Sequence, residues 1–275
     1  MWWYRGKWHV SKEIASIFIE FLYKITQRGI EIINEEDEFL EFFSYHPLEK
    51  WEKEKKSIET HAILLQALFA DIIIDCEWEL IEEKKWKTHF KSCRINPNLI
   101  VLPASWPYTP KMDEIAIWIK PGMAFGTGMH ETTQLCLKAM YKLYAKEHPK
   151  TLLDVGTGTG ILAILGEKLG IKEILALDID PLAIAAAKEN FKLNKIKNIK
   201  LVHGNIKKIN QSFDWVVANL ETKIIISLAQ ELKKLYQKSL ILSGILKNEI
   251  EQVKKAICLP YREVMIQGEW VCLIF

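Results

Sequence analysis

From residue 151 onward, short apolar runs alternate with stretches of helical period. The pattern predicts strands near 151–155, 174–178, 199–203, 214–218 and 239–243 with helices between them, as in a doubly wound parallel sheet. Arg262 to Gln267 and Glu269 to Phe275 flank Gly268 too closely for a helical crossover, so they are expected to pair antiparallel. Toward the N-terminus, Ile14, Ile17, Phe18, Phe21, Leu22 and Ile25 recur at helical spacing within Ser11 to Gln27, and Gly29 follows as a stop. Strand-like pieces follow at Ile30 to Ile33 and Phe39 to Phe43, which makes residues 1–60 a small α+β, ferredoxin-like domain. Residues 61–112 read as a connecting region: the apolar run Ala62 to Ile74, then Trp78 to Phe90, ending in PASWPYTP. The regular α/β part is assigned to 113–275.

Composition supports this division. The chain has 275 residues, 49% hydrophobic and 26% charged, enough for a sizeable core. Its net charge of +2 is unevenly spread. Residues 1–120 carry 16 basic and 20 acidic side chains against 21 and 15 in 121–275, and eight of the ten tryptophans precede residue 120. An acidic run, Glu31, Glu35, Glu36, Asp37, Glu38 and Glu41, lies in the first part; it suits either a basic partner or an ordinary solvated face. Tryptophans set among carboxylates are a poor platform for RNA, which favours basic grooves, so no direct nucleic-acid requirement is expected. The start MWWYRGKWHV lacks an apolar signal region, and the longest greasy stretch is too short for a bilayer span, so no membrane role and a cytoplasmic location are expected. Five scattered cysteines without a CxxC pair, and seven histidines without ligand spacing, predict neither a disulfide framework nor a metal site.

The chemistry is concentrated in three segments: PGMAFGTGMHETT at 121–133, DVGTGTG at 154–160 and LDIDP at 177–181. In the second, Leu152, Leu153 and Val155 lead into a turn carrying Gly156, Gly158 and Gly160, and an apolar helix begins at Ile161. Glycines are needed where a ligand approaches main chain or φ is positive. The strand ending at Asp178 places a carboxylate where vicinal ribose hydroxyls are bound in dinucleotide folds, so an adenosine is the expected occupant. The turn is G-x-G-x-G rather than G-x-G-x-x-G and is preceded by Asp154, whose charge would repel a pyrophosphate. It would instead attract the cationic amino and sulfonium groups of S-adenosylmethionine, directly or through water.

PGMAFGTGMHETT, DVGTGTGILAI, LDIDPLAIAAAKEN, FDWVVANL, LILSGILKNE and EWVCLIF, in this order, resemble the bacterial ribosomal protein L-eleven methyltransferases over roughly residues 115–275. The resemblance implies a Rossmann-like, seven-stranded class I methyltransferase sheet and S-adenosyl-L-methionine as cofactor. It places cofactor contacts on Thr133, whose hydroxyl would meet the methionine moiety, on Gly156, Asp178 and Asn219, with Gly158 beside them, Asn205 at the adenine and Phe125 in a glycine-flanked lid. It implies methylation, up to the trimethylated state, of lysine and/or N-terminal amines of the large-subunit protein L-eleven, free or on the subunit. In that reaction Asn219 is the catalytic candidate: its side-chain carbonyl would orient the attacking amine. The N-terminal domain would recognise the substrate. Two alternatives use the same cofactor residues: a class I methyltransferase acting on RNA or another substrate, and a non-catalytic, cofactor-binding assembly factor.

Overall fold

A computed structural model describes residues 2–26, 30–82, 92–104, 106–120 and 126–275, which form two compact units, 1–90 and 91–275. The division falls between 90 and 91 rather than at 60 and 112, because the segment expected to connect two domains contributes elements to both units.

In the first unit the order is β1 (Trp2–Ser11), α1 (Lys12–Thr26), β2 (Glu31–Glu35), β3 (Phe39–Pro47), α2 (Trp51–Leu68) and β4 (Ile74–Glu82). The strands lie in the order β2-β3-β1-β4 with every pairing antiparallel, the ferredoxin-like arrangement of a β-α-β-β-α-β unit. Period-4 spacing buries Ile14, Phe18 and Leu22 of α1, and period-2 spacing buries Trp8 and Val10 of β1 with Leu40 and Phe42 of β3. A polar thread runs through this core. Trp8 Nε1 donates to Ser44 Oγ at 2.7 Å, Ser44 Oγ lies 2.8 Å from His46 Nε2, and His46 Nδ1 lies 2.8 Å from Glu54 Oε2. Its members are hydrogen-bonded to one another, as buried polar groups must be. The run Ala62 to Ile74 is divided between the end of α2 and the start of β4, with a left-handed turn at Asp71 (φ 61°) between them. Trp78 lies on β4, and that strand ends at Glu82.

The second unit opens with a three-stranded sheet of β5 (Cys93–Asn96), β6 (Leu99–Pro103) and β7 (Ile115–Ile119). It continues through α3 (Glu131–Glu147), β8 (Thr151–Val155), α4 (Ile161–Leu169), β9 (Glu173–Asp178), α5 (Pro181–Leu193), β10 (Ile199–His203), β11 (Phe213–Asn219), α6 (Thr222–Ser227), α7 (Ala229–Leu235), β12 (Tyr236–Leu246), α8 (Ile250–Ile257), β13 (Glu263–Gln267) and β14 (Trp270–Ile274). The large sheet has the order β10-β9-β8-β11-β12-β14-β13. The first five strands pair in parallel, and β14 is antiparallel to both β12 and β13. This is the expected seven-stranded sheet with its terminal hairpin.

Its central strands are apolar on both faces, since helices cover both sides; Leu152, Leu153, Val216, Val217, Ile241 and Leu242 are fully buried. Strand order reverses between β8 and β11, and a crevice opens there beyond the carboxyl ends of the strands. Asn190 of α5 and Asn194, the residue that ends that helix, tie the small sheet to the large one. Asn194 Oδ1 accepts from Trp118 N and its Nδ2 donates to Trp118 O, while Asn190 Oδ1 accepts from Lys120 N. Asn190 Nδ2 also donates to Thr159 O in the glycine turn, at 2.9 Å.

Candidate active site

The turn after β8 is held from both sides. Gly156, Gly158 and Gly160 have φ of +70°, +54° and +81°, a region that L side chains disfavour. Gly156 N and Thr157 N both donate to Leu177 O, and Gly158 N donates to Asp178 Oδ2 at 3.0 Å. A Cβ on Gly156 would come within 2.5 Å of Leu220 Cδ2, the movable end of a side chain just beyond β11, so the positive φ is what calls for glycine here.

Asp154 does not face the crevice. It is 0% exposed, and its Oδ2 accepts from Thr157 Oγ1 at 2.6 Å and from Ala163 N at 3.1 Å, while Oδ1 has no hydrogen-bond partner. The expected meeting of this carboxylate with a cationic ligand is therefore corrected: Asp154 lies under the turn and fastens it to the first turn of α4. Burial pushes its pKa up to about 7, with the nearby Asp178 carboxylate adding in the same direction against the two hydrogen bonds. A pKa raised in the folded state stabilises below the unfolded value, near ~3.9, and that contribution is lost as pH rises through about 7. Between pH 5 and 8 this group is expected to reduce the unfolding free energy by about 2–3 kcal/mol. Urea titrations across that range, compared with Asp154→Asn, measure it; equal pH slopes in the two proteins refute it.

The crevice is a cavity of about 760 Å³, and its wall includes Gly156, Gly158, Asp178, Asn205, Asn219 and Trp270. Asp178 ends β9 with Oδ1 accepting from Asp180 N and Oδ2 from Gly158 N, each at 3.0 Å, so its carboxylate is oriented by main chain. Asn205 faces the same space, and its Oδ1 accepts from Lys207 N at 2.9 Å. Asn219 ends β11; its Nδ2 donates to Thr133 Oγ1 at 3.3 Å, and its Oδ1 is buried without a partner. Thr133 is itself 0% exposed and serves as the support behind Asn219, while Thr132 lines the cavity. Neither threonine caps α3: that position is His130, whose Nδ1 accepts from Thr132 N. Phe125, with the rest of 121–125, lies outside the described residues.

Two features of the wall were not read from sequence. Trp270 stands edge-on to His130, ring centroids 5.0 Å apart, and both line the cavity. Gly244, in β12, has φ +88°, and a Cβ there would sit 2.2 Å from Leu220 O. It allows the chain leaving Asn219 to press against β12, where Leu220 N donates to Ser243 O at 3.0 Å. Gly244→Ala is expected to lower stability by about 2–4 kcal/mol, since the clash is with main chain and the φ is unsuited to alanine. Calorimetry tests this, and an unchanged Tm would sink it.

The donor set fits S-adenosylmethionine. Asp178 offers an oriented carboxylate for a diol, the glycine turn offers uncluttered main chain, and a cavity of this size suits a nucleoside-sized ligand. Among the described residues no group of three or more His, Cys, Asp or Glu could hold a metal ion, and no helix is long and apolar enough to cross a membrane.

Comparison with known proteins gives this crevice a lineage. The family model described as Ribosomal protein L11 methyltransferase (PrmA) matches residues 6–275. The chain belongs to the ribosomal protein L11 methyltransferase family. The match runs through the N-terminal unit, well beyond the stretch from about 115 where the motifs lie. A ribosomal protein L11 methyltransferase of Clostridium botulinum (strain Eklund 17B / Type B) is 40% identical over 211 residues, covering 74% of this chain and 66% of the relative. A ribosomal protein L11 methyltransferase of Alkaliphilus oremlandii (strain OhILAs) is 36% identical over 196 residues, covering 69% and 62%. These matches thus span just under two thirds of the relatives' own length. A crystal structure of a ribosomal protein L11 methylase from Lactobacillus delbrueckii subsp. bulgaricus superposes with a TM-score of 0.63 at 33% identity, covering 67% of this chain and 97% of that one.

Proposed function

We propose that this member of the L11 methyltransferase family is an S-adenosylmethionine-dependent protein N-methyltransferase acting in the cytoplasm. Its substrates are lysine and/or N-terminal amines of ribosomal protein L11, free or on the large subunit, methylated up to the trimethylated state. The observation that carries this reading is the buried Asn219 Oδ1, an acceptor left without a partner on the wall that also bears Asp178.

Asp178 would hold the ribose hydroxyls, Gly156 and Gly158 would lie against the ligand through main chain, Asn205 would stand beside the adenine, and Phe125 would cover it. Thr133 would act through Asn219, fixing its amide. Bound S-adenosylmethionine supplies an electrophilic methyl carbon on a positively charged sulfur. The chain's own part is to align the amine and exclude water. An ammonium has no lone pair, so the substrate amine must lose its proton before attack, and the apolar wall formed by Leu220, Ile224 and Trp270 favours the neutral form. Asn219 Oδ1 would then accept a remaining N–H and direct the lone pair along the transfer line.

Mass spectrometry of large-subunit proteins incubated with the chain and labelled S-adenosylmethionine tests the reading. Increments in multiples of a methyl group on L11 alone are expected. Label on RNA or another protein would move the substrate, and cofactor binding with no label anywhere would make the chain a non-catalytic binder.

A further inference from the structure

We propose that Glu221 selects a positively charged amine at the mouth of the cavity; this rests on the reading above and names how its acceptor is recognised. Asp178, Asp180 and Glu221 are the carboxylates on the cavity wall. The first two are committed: Asp178 holds Gly158 N and Asp180 N, and Asp180 Oδ1 caps α5 by accepting from Leu182 N at 2.8 Å. Glu221 occupies the N-cap position of α6 with extended backbone (φ −58°, ψ 145°), yet its side chain makes no capping bond. Among the described residues no hydrogen bond or ion pair engages its carboxylate, and the hydroxyl of the adjacent Thr222 is taken by Glu249 Oε2 at 2.6 Å.

The result is an exposed, uncommitted negative charge two residues from Asn219, whose neutral Oδ1 is buried and also uncommitted. A full charge at the rim with a neutral acceptor further in matches one class of guest. A primary ammonium on a flexible chain is attracted by the carboxylate while solvated, and the amine is then received by an oxygen that accepts N–H without demanding charge. A neutral amide or hydroxyl gains nothing from the first of these groups. Since Glu221 is exposed, the attraction is screened by salt and modest in size.

Steady-state kinetics with purified L11 at low and high salt, with calorimetric titration of S-adenosylmethionine, test the proposal on Glu221→Gln and Glu221→Asp. For Glu221→Gln at low salt, KM for L11 is expected to rise about three- to fivefold, with kcat within about twofold, cofactor affinity unchanged and the salt dependence of KM reduced. Glu221→Asp is expected to restore most of the difference. An unchanged KM and salt dependence overturn the proposal, as does a change confined to cofactor affinity, which would make Glu221 a cofactor contact. If the wild-type chain transfers no methyl group to L11, the reading above fails by itself. Glu221 is then judged by titrating wild type and Glu221→Gln with n-butylammonium and neutral 1-butanol: preference for the cation, lost in the variant, supports it, and equal binding in wild type overturns it.

Discussion

With alanine at position 219, kcat for methyl transfer to L11 falls by about 10²–10³-fold, the loss seen when one preorganised polar contact to the reacting group is removed, while S-adenosylmethionine affinity changes only a few-fold. Two effects combine in this result. Truncation deletes the Oδ1 acceptor that orients the amine, and a lone pair off the transfer line reacts slowly even when the atoms remain close. It also removes the Nδ2 donor from the buried Thr133 hydroxyl, loosening the start of α3. Single-turnover measurement with saturating cofactor separates the two, because loosening of α3 would also weaken cofactor binding. Turnover at the wild-type rate with normal cofactor binding would remove Asn219 from the chemistry.

In Asp178→Ala the dissociation constant for S-adenosylmethionine rises by about 10²-fold or more. A carboxylate bonded to two ribose hydroxyls makes charge-assisted contacts worth about 1.5–3 kcal/mol each. The substitution also removes the acceptor for Gly158 N and Asp180 N, so the glycine turn loses part of its anchoring to β9. Asp178→Asn, which keeps one acceptor oxygen, falls between wild type and alanine. Calorimetry decides: a dissociation constant within threefold of wild type would mean that the ribose is held elsewhere.

The strands of the large sheet could be read to within a few residues because parallel strands buried on both faces are uninterrupted apolar runs bounded by turns, whereas the short strands of the three-stranded sheet, β5 to β7, fell in and just after the segment read as a connecting region. The glycine turn was legible for a different reason: three glycines at alternate positions after such a run have few other uses. The first unit was harder. In β1, WWYRGKWHVS interleaves aromatic and cationic residues, so its period-2 burial of Trp8 and Val10 is obscured by Trp3 and Arg5 on the other face. The apolar run Ala62 to Ile74 hides a boundary set by one left-handed residue, Asp71, which has no apolar signature.

Within the site, a sequence gives the presence of Asp154 but not its direction. Strand alternation sends Asp154 beneath the turn, while the end of β9 leaves Asp178 at the crevice. Gly244 was illegible because its need for glycine arises from an irregularity between Ser243 and Ile245 in the pairing with β14 and from the main chain of Leu220, just past the end of β11. The division of labour between Thr132 and Thr133 likewise depends on the rotation of α3, which neighbouring identical residues cannot report.

The strand order carries a consequence for biosynthesis. β8, which bears the glycine turn, pairs with β9 shortly after it in the chain and with β11 some sixty residues later, and the cavity wall extends to Trp270. A growing polypeptide therefore displays the unpaired apolar edge of β8 until β11 has left the ribosome, and such edges invite wrong pairing. Non-local parallel pairing is also slow. A nascent chain of this protein passes through an interval in which that edge is open, and the wall of the cavity is complete only when the last hairpin, which carries Trp270, is in place.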